Sequence, residues 1–140
     1  MQRTKPPFRA DHVGSLLRSA ALKEPRAKRE ANAITDEQLK AIEDREIDAI
    51  IKKQEQVGLK SITDGEYRRA FWNYDFLGKL PGVEAYLGER KIKFQGKQPK
   101  PMMLRVIGKL GSYSTHPMIE HFKFVQAHTR QTAKMTIPSP

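Results

Sequence analysis

Residues 57–69 read Val-Gly-Leu-Lys-Ser-Ile-Thr-Asp-Gly-Glu-Tyr-Arg-Arg (VGLKSITDGEYRR). A glycine stop, a short partly β-branched run and an Asp-Gly turn follow one another without a spacer. That order is how a chain passes from a helix into a strand of an α/β unit. The preceding segment supplies the helix. Thr35-Asp-Glu-Gln38 is a capping-box pattern, with Thr35 at the N-cap and Gln38 reaching back. Leu39, Ile42, Ile47, Ile50, Ile51 and Val57 recur near helical spacing, and Asp36 and Glu37 suit the positive end of the helix dipole. The spacing predicts a helix over about 36–57 and a strand over 59–63.

Working outward, residues 67–80 read as helix or loop, broken by Pro81-Gly82. Lys91–Phe94 and Met103–Ile107 alternate about a polar connection, which predicts a β-hairpin excursion over about 90–110 with a basic outer face. His116-Pro117 opens a second helix, running to about 129, with proline at its first position; Thr132–Ile137 reads as a strand. Toward the N-terminus, Pro25 interrupts residues 16–33, which read as a loop with broken helix. Phe8, Ala10 and Val13 suggest a short strand ending at Gly14-Ser15.

Strand, helix, strand, excursion, helix, strand implies parallel pairing through right-handed crossovers. A closed eight-stranded α/β barrel takes about 250 residues, and this chain has 140. The fold class expected is therefore α/β: the first part of a TIM-type (β/α)8 barrel, with about three parallel strands and the barrel incomplete. Residues 1–140 read as a single partial barrel domain. Open strand edges and uncovered apolar faces lead to the expectation that the chain alone is insoluble, partly unfolded or oligomeric.

Hydrophobic residues make up 38% of the chain, which fits a globular class, and no apolar run approaches 18 residues. The opening MQRTKPPFRADH is basic without an apolar core, so no secretory signal is read and the cytoplasm is the expected compartment. There is no cysteine to form a disulfide or to give a metal a thiolate. His116, His121 and His128 lack cysteine partners, and the only acid close to them is Glu120; no metal site is assigned to them. The net charge of +10 is uneven. Arg90, Lys91, Lys93, Lys97, Lys100, Arg105 and Lys109 follow one another with no acid between them. Such a stretch is a solvated hairpin, a polyanion-binding module, or a surface for an acidic part of a larger protein.

In α/β folds reactive groups collect where parallel strands end. Two such ends are chemically rich. At His12-Val13-Gly14-Ser15, the glycine admits a ligand to the backbone, and the Ser15 hydroxyl and nearby N–H groups suit a carboxylate. At Asp64-Gly65-Glu66, the Glu66 carboxylate suits an ammonium group. Together they form an amino-acid clamp. His12, Asp64, Arg69 and Trp72 are candidate supports. Each element on its own also reads as a turn, a solvated acid or ordinary packing.

The combination DHVGSLLR (11–18), the helix from Thr35, VGLKSITDGEYRRAFWNYDF (57–76) and HPMIEHFKFVQAHTRQTAKMTIPSP (116–140) resembles the cobalamin-independent methionine synthase family. The likeness is greatest to short members that match only the catalytic domain, and it covers the N-terminal portion of that domain. The resemblance implies a TIM-type barrel and methyl transfer from a methylfolate to the thiol of homocysteine, with zinc binding the thiolate and no cobalamin. It implies substrate-binding roles for Val13, Gly14, Ser15 and Glu66. It places the family's zinc ligands and general acid beyond this chain, so no catalytic residue and no metal ligand are assigned within it. As an intact family member it would be a zinc-dependent methyltransferase; the 140 residues alone are expected to be inactive. Asp64 stands where the synthases carry His, which leaves open a related methyl- or alkyltransferase acting on another thiol. A non-catalytic basic binding module is the remaining alternative. Nucleic acid and membrane are not the expected partners.

Overall fold

The longest helix, α2 (Asp36–Gln56), organises the fold, and its ends follow from local chemistry. The computed structural model describes residues 3–89 and 101–138. At the start of α2 the Gln38 N–H donates to Thr35 Oγ1 (3.2 Å) and the Thr35 N–H donates to Gln38 Oε1 (2.9 Å). This reciprocal pair satisfies two amides that the helix cannot. At the other end Gly58 takes φ +86°, a conformation that favours glycine, and the chain turns into β1 (Ser61–Ile62).

Glu43, Ile47, Ile51 and Gln54 are the buried residues of α2, spaced to share one face. The stripe is apolar in the middle and polar at both ends. Against its middle pack Leu22 of α1 (Ala20–Glu30), Ile62 of β1, Tyr67 and Val125 of α4 (Pro117–His128). Leu22, Ile47, Ile51, Ile62 and Val125 are all fully buried. Each such side chain contributes about 1.5–3 kcal/mol by leaving water. β1 pairs in parallel with β4 (Thr132–Ala133), with Ser61 opposite Thr132 and Ile62 opposite Ala133.

The chain divides into two compact units, Met1–Arg68 with Glu120–Thr136, and Arg69–Ile119 with Ile137–Pro140. The second unit holds the short helix α3 (Tyr74–Leu77) and an antiparallel pair, β2 (Val83–Leu87) and β3 (Met102–Val106). Arg105 lies directly opposite Glu84, and its Nε donates to Glu84 Oε2 at 2.6 Å. His116 is buried in this unit. Its Nε2–H donates to the Phe76 carbonyl (2.9 Å), and its Nδ1 accepts the Met118 N–H (3.2 Å). That pairing fixes one neutral tautomer, and the ring stacks on Tyr113. His116 is thus a packing and capping residue just ahead of Pro117, the first residue of α4.

Several expectations need correction. Residues 20–30 are one helix despite Pro25, which lies inside it. The lost amide bond is outweighed by Leu22 in the core and by the ion pair of Arg26 with Glu43 (3.0 Å). Residues 8–13 form no strand. The carbonyls of His12 and Val13 accept from side chains instead, Lys134 Nζ and Thr136 Oγ1 (the latter at 2.7 Å). Among the described residues the parallel sheet is therefore one pair of two-residue strands, not three strands, and β4 is shorter than the predicted 132–137. The hairpin is present, but its first strand is β2 at 83–87, directly after Pro81-Gly82. The strand expected at 91–94 and most of the basic run fall at 90–100, outside the described residues.

Ile51→Ala is expected to destabilise the first unit by about 3 kcal/mol, because it opens a cavity at the centre of the stripe. Val57→Ala, at a residue 70% exposed, should change stability by no more than about 0.5 kcal/mol. Urea denaturation followed by far-UV circular dichroism reads the difference. Equal midpoints would show that α2 does not pack through this face.

Candidate functional site

The candidate site is built where the chain leaves β1. Residues 61–67 are all buried, so the polar groups of Thr63, Asp64 and Glu66 must be satisfied inside the protein. Gln54, 3% exposed on α2, performs the first step. Its Nε2 donates to the Thr63 carbonyl (2.8 Å) and the Ile50 carbonyl (3.1 Å), and its Oε1 accepts the Thr63 N–H (3.1 Å). The same Oε1 lies 3.1 Å from His12 Nε2. With that oxygen as acceptor, the His12 proton sits on Nε2. His12 therefore faces α2 as a positioning residue.

Thr63 then joins the two chemically rich segments. Its hydroxyl donates to the Gly14 carbonyl (2.8 Å) and accepts the Gly65 N–H (3.1 Å). The Leu16 N–H donates to the Gly65 carbonyl at 3.0 Å. Ser15 is thus held between two residues that are each tied to the 63–65 stretch, and it remains exposed. Gly14 is buried with φ +149°, a backbone conformation essentially restricted to glycine. A Cβ there would lie 2.7 Å from Thr136 Oγ1 and 3.4 Å from Glu66 Oε1. The open side of Gly14 therefore faces the Thr136 hydroxyl, with the Glu66 carboxylate next to it.

Glu66 is 5% exposed and has φ +59°, a left-handed conformation costing about 1 kcal/mol for a non-glycine residue. Three contacts hold it there. Asp64 Oδ1 accepts the Glu66 N–H (2.8 Å), Arg18 Nη2 donates to the Glu66 carbonyl (2.6 Å), and Tyr67 Oη donates to the Leu17 carbonyl (2.9 Å). Asp64 is buried, and one of its carboxylate oxygens shapes this turn.

Arg68 ends the motif by turning inward. Its guanidinium pairs with Glu43 (3.5 Å) and with Asp44, and lies 5.2 Å from the centre of the Phe124 ring. Burial raises the Glu43 carboxyl above its ordinary pKa despite Arg26 and Arg68 beside it. Asp44 is shifted the other way: burial opposes its ionisation, but Lys40 and Arg68 together leave its pKa lowered.

Gly14 and Glu66 are brought together, with Ser15 and Asp64 beside them. Val13 is 78% exposed, and only its carbonyl enters the cluster. Arg69 and Trp72 belong to the second unit, where Arg69 is half-buried and Trp72 is 63% exposed. The rings after Arg69 pack on one another there, Phe71 edge-on to Tyr74 and Phe76 against Tyr113. Sequence reasoning missed Gln54, Thr63, Arg18 and Thr136. Gln54 carried a usable signal, since it continues the buried register of Ile47 and Ile51 with a polar side chain. Among the described residues no three His, Asp or Glu side chains come together to hold a metal ion. With no cysteine in the chain, its residues do not fit the zinc that the resemblance implies.

No protein-family profile matches the chain. It is 49% identical over 141 residues to the uncharacterized protein YxjG of Bacillus subtilis, covering all of this chain and 37% of that protein. It is 33% identical over 143 residues to the 5-methyltetrahydropteroyltriglutamate–homocysteine methyltransferase of Thermosynechococcus vestitus, covering 18% of it. A crystal structure from Listeria monocytogenes, provisionally assigned as a vitamin-B12-independent methionine synthase, superposes with a TM-score of 0.77 at 43% identity. The match covers 95% of this chain and 36% of that one. The chain is similar to the cobalamin-independent methionine synthases along nearly its whole length. It spans a little over a third of YxjG and of the Listeria structure. The α/β architecture is shared with that structure, and no described helix is long and apolar enough to cross a membrane.

Two predictions follow from this geometry. Gln54→Leu strands the buried N–H and carbonyl of Thr63 and should cost about 2 kcal/mol, read as a lower urea midpoint. A loss indistinguishable from that of an exposed substitution would remove Gln54 from its role. Glu43 binds its proton more tightly when folded, so its ionisation subtracts stability as the pH rises above about 4.3. Glu43→Gln removes that loss. The stability of the variant relative to the parent should therefore climb between pH 4 and pH 7, and a flat or falling difference would contradict the raised pKa.

Proposed function

We propose that residues 12–16 and 63–67 form the amino-acid-binding rim of a methionine-synthase-like methyltransferase, with Glu66 accepting the ammonium group of a small thiol substrate. The observation that carries this reading is the placement of the Glu66 carboxylate on the open side of Gly14, where the chain leaves β1. A substrate carboxylate would lie near the exposed Ser15, where the hydroxyl and the local N–H groups can donate to it. Homocysteine is the acceptor that the similarity to the Thermosynechococcus enzyme favours, and a methylfolate is the matching donor.

The activity is proposed for a longer protein, since the relatives extend well beyond the length matched. Likewise the barrel of which this α/β segment would form the first part is a proposal. In that setting zinc would be held by residues outside this chain, and this chain would orient the amino-acid end of the substrate. A related transferase acting on another small thiol uses the same rim, and Asp64, which shapes the Glu66 turn, is the residue that distinguishes this chain from the synthases there.

Isothermal titration of the chain with homocysteine, and with methionine as the product, tests the assignment. Glu66→Gln keeps the shape and removes the charge, and it should weaken binding by about tenfold to a hundredfold, the range for one lost charge-assisted hydrogen bond. Ser15→Ala should weaken it less, about threefold to tenfold. Unchanged affinity in both variants would remove the site.

A further inference from the structure

The first unit carries a cleft that the proposed rim does not use. It measures about 680 Å³ and is walled by Phe8, Arg9, Gly58 and Lys60, with Arg3 at its edge. A second lobe of about 420 Å³ shares Arg3, Phe8 and Lys60 and adds Arg130, Gln131 and Thr132. Gly58 and Lys60 lead into β1, and Arg130 and Gln131 lead into β4. The cleft therefore lies where the parallel strands begin, and Gly14 and Glu66 lie where β1 ends.

Its chemistry is one-sided. Among the described residues neither lobe is lined by an acid; Arg3 and Lys60 line both lobes, Arg9 the first and Arg130 the second. Among the described residues none of the four has a carboxylate partner. Arg3 Nη1 donates to the Pro7 carbonyl (3.0 Å), and both residues line the first lobe. Glu55 reaches this region only through Thr129 Oγ1 (2.5 Å) and the Arg130 N–H (3.1 Å). Lys60 is half-buried and Arg3, Arg9 and Arg130 are exposed, so an anion in the cleft could be met by cations that still reach solvent. The volume suits a small molecule rather than a duplex groove. Phe8 gives an apolar face beside the charges.

We propose that this cleft binds a small polyvalent oxyanion bearing phosphate or carboxylate groups. The Arg and Lys side chains take the charged oxygens, with the forked Arg groups suited to two oxygens at once. The site is independent of the thiol-binding rim and does not require that assignment to hold.

Calorimetric titration of the whole chain with pyrophosphate and with citrate, at about 50 mM and about 200 mM salt, tests it. Saturable binding with one ion per chain is expected, weaker at the higher salt. Lys60→Gln and Arg130→Gln should each reduce affinity about tenfold or more, and Glu66→Gln should leave it unchanged. Tighter binding of pyrophosphate assigns the phosphate class, and tighter binding of citrate the carboxylate class. Arg9→Gln, on an exposed segment, serves as a second readout should Lys60→Gln lose its circular-dichroism signal. The proposal is overturned if all correctly folded variants bind as the parent does, if many ions bind without saturation, or if only a single-stranded oligonucleotide binds.

Discussion

The amide of Gln54 does for Thr63 what a neighbouring strand would otherwise do. β1 has two residues, and its ladder to β4 ends with the Lys134 N–H on the Ile62 carbonyl. One residue further on, both backbone groups of Thr63 are buried, and a single side chain from α2 satisfies them. A buried amide left unpaired costs more than an ordinary hydrogen bond gains. The position of Thr63 is thus set by a helix that is itself capped and packed, rather than by a sheet too short to set it. From Thr63 the constraint passes through one hydroxyl to the Gly14 carbonyl and the Gly65 N–H. The juxtaposition of Gly14 and Glu66 is the last link of that chain.

The other end of the α2 stripe does related work with charge. Glu43 and Asp44 receive Arg68, while Arg26 reaches Glu43 from α1. The stretch 63–68 is therefore pinned at its first residue by a neutral amide and at its last by a buried ion pair, with the left-handed residues Gly65 and Glu66 between. Strain persists only where surrounding contacts over-determine it. Here those contacts are the Asp64 carboxylate, the Arg18 guanidinium and the Tyr67 hydroxyl. The raised pKa of Glu43 shows what this arrangement costs: its carboxylate is held in place although burial works against its ionisation.

These relations explain what could be read from the sequence. The capping box at Thr35, the stop at Gly58, the proline opening α4 and the parallel pairing of β1 with β4 depend on local chemistry or short-range order, and all are legible. Pro25 misled because its local penalty is smaller than the burial of Leu22 and the Arg26 pair, both of which are tertiary. The segment before Gly14 misled because side chains of Lys134 and Thr136, more than 120 residues away, occupy its carbonyls. Gly14 and Glu66 were legible as residue types suited to a clamp, and the fold gives them a shared location. Their supports were not legible. Gln54 and Thr63 carry no catalytic signature, and only the buried register of α2 distinguishes Gln54 from the polar residues around it.

The parallel pair also gives the first unit a direction of charge. Lys60 and Arg130 stand before the strands, and Asp64 and Glu66 follow β1, so cationic and anionic groups are separated along a few residues of chain. A net charge of +10 does not by itself reveal this separation. The buried carboxylates resist that average: Asp64 is spent on the turn, and Glu66 is held in a conformation its backbone does not prefer. Glu66 is a buried acid in a left-handed backbone conformation, held there by the contacts around it. A glycine at position 66 would adopt this backbone conformation without strain. That a glutamate stands there, with Gln54, Thr63, Arg18 and Asp64 ordered around it, supports the proposal that this end of β1 meets an ammonium group.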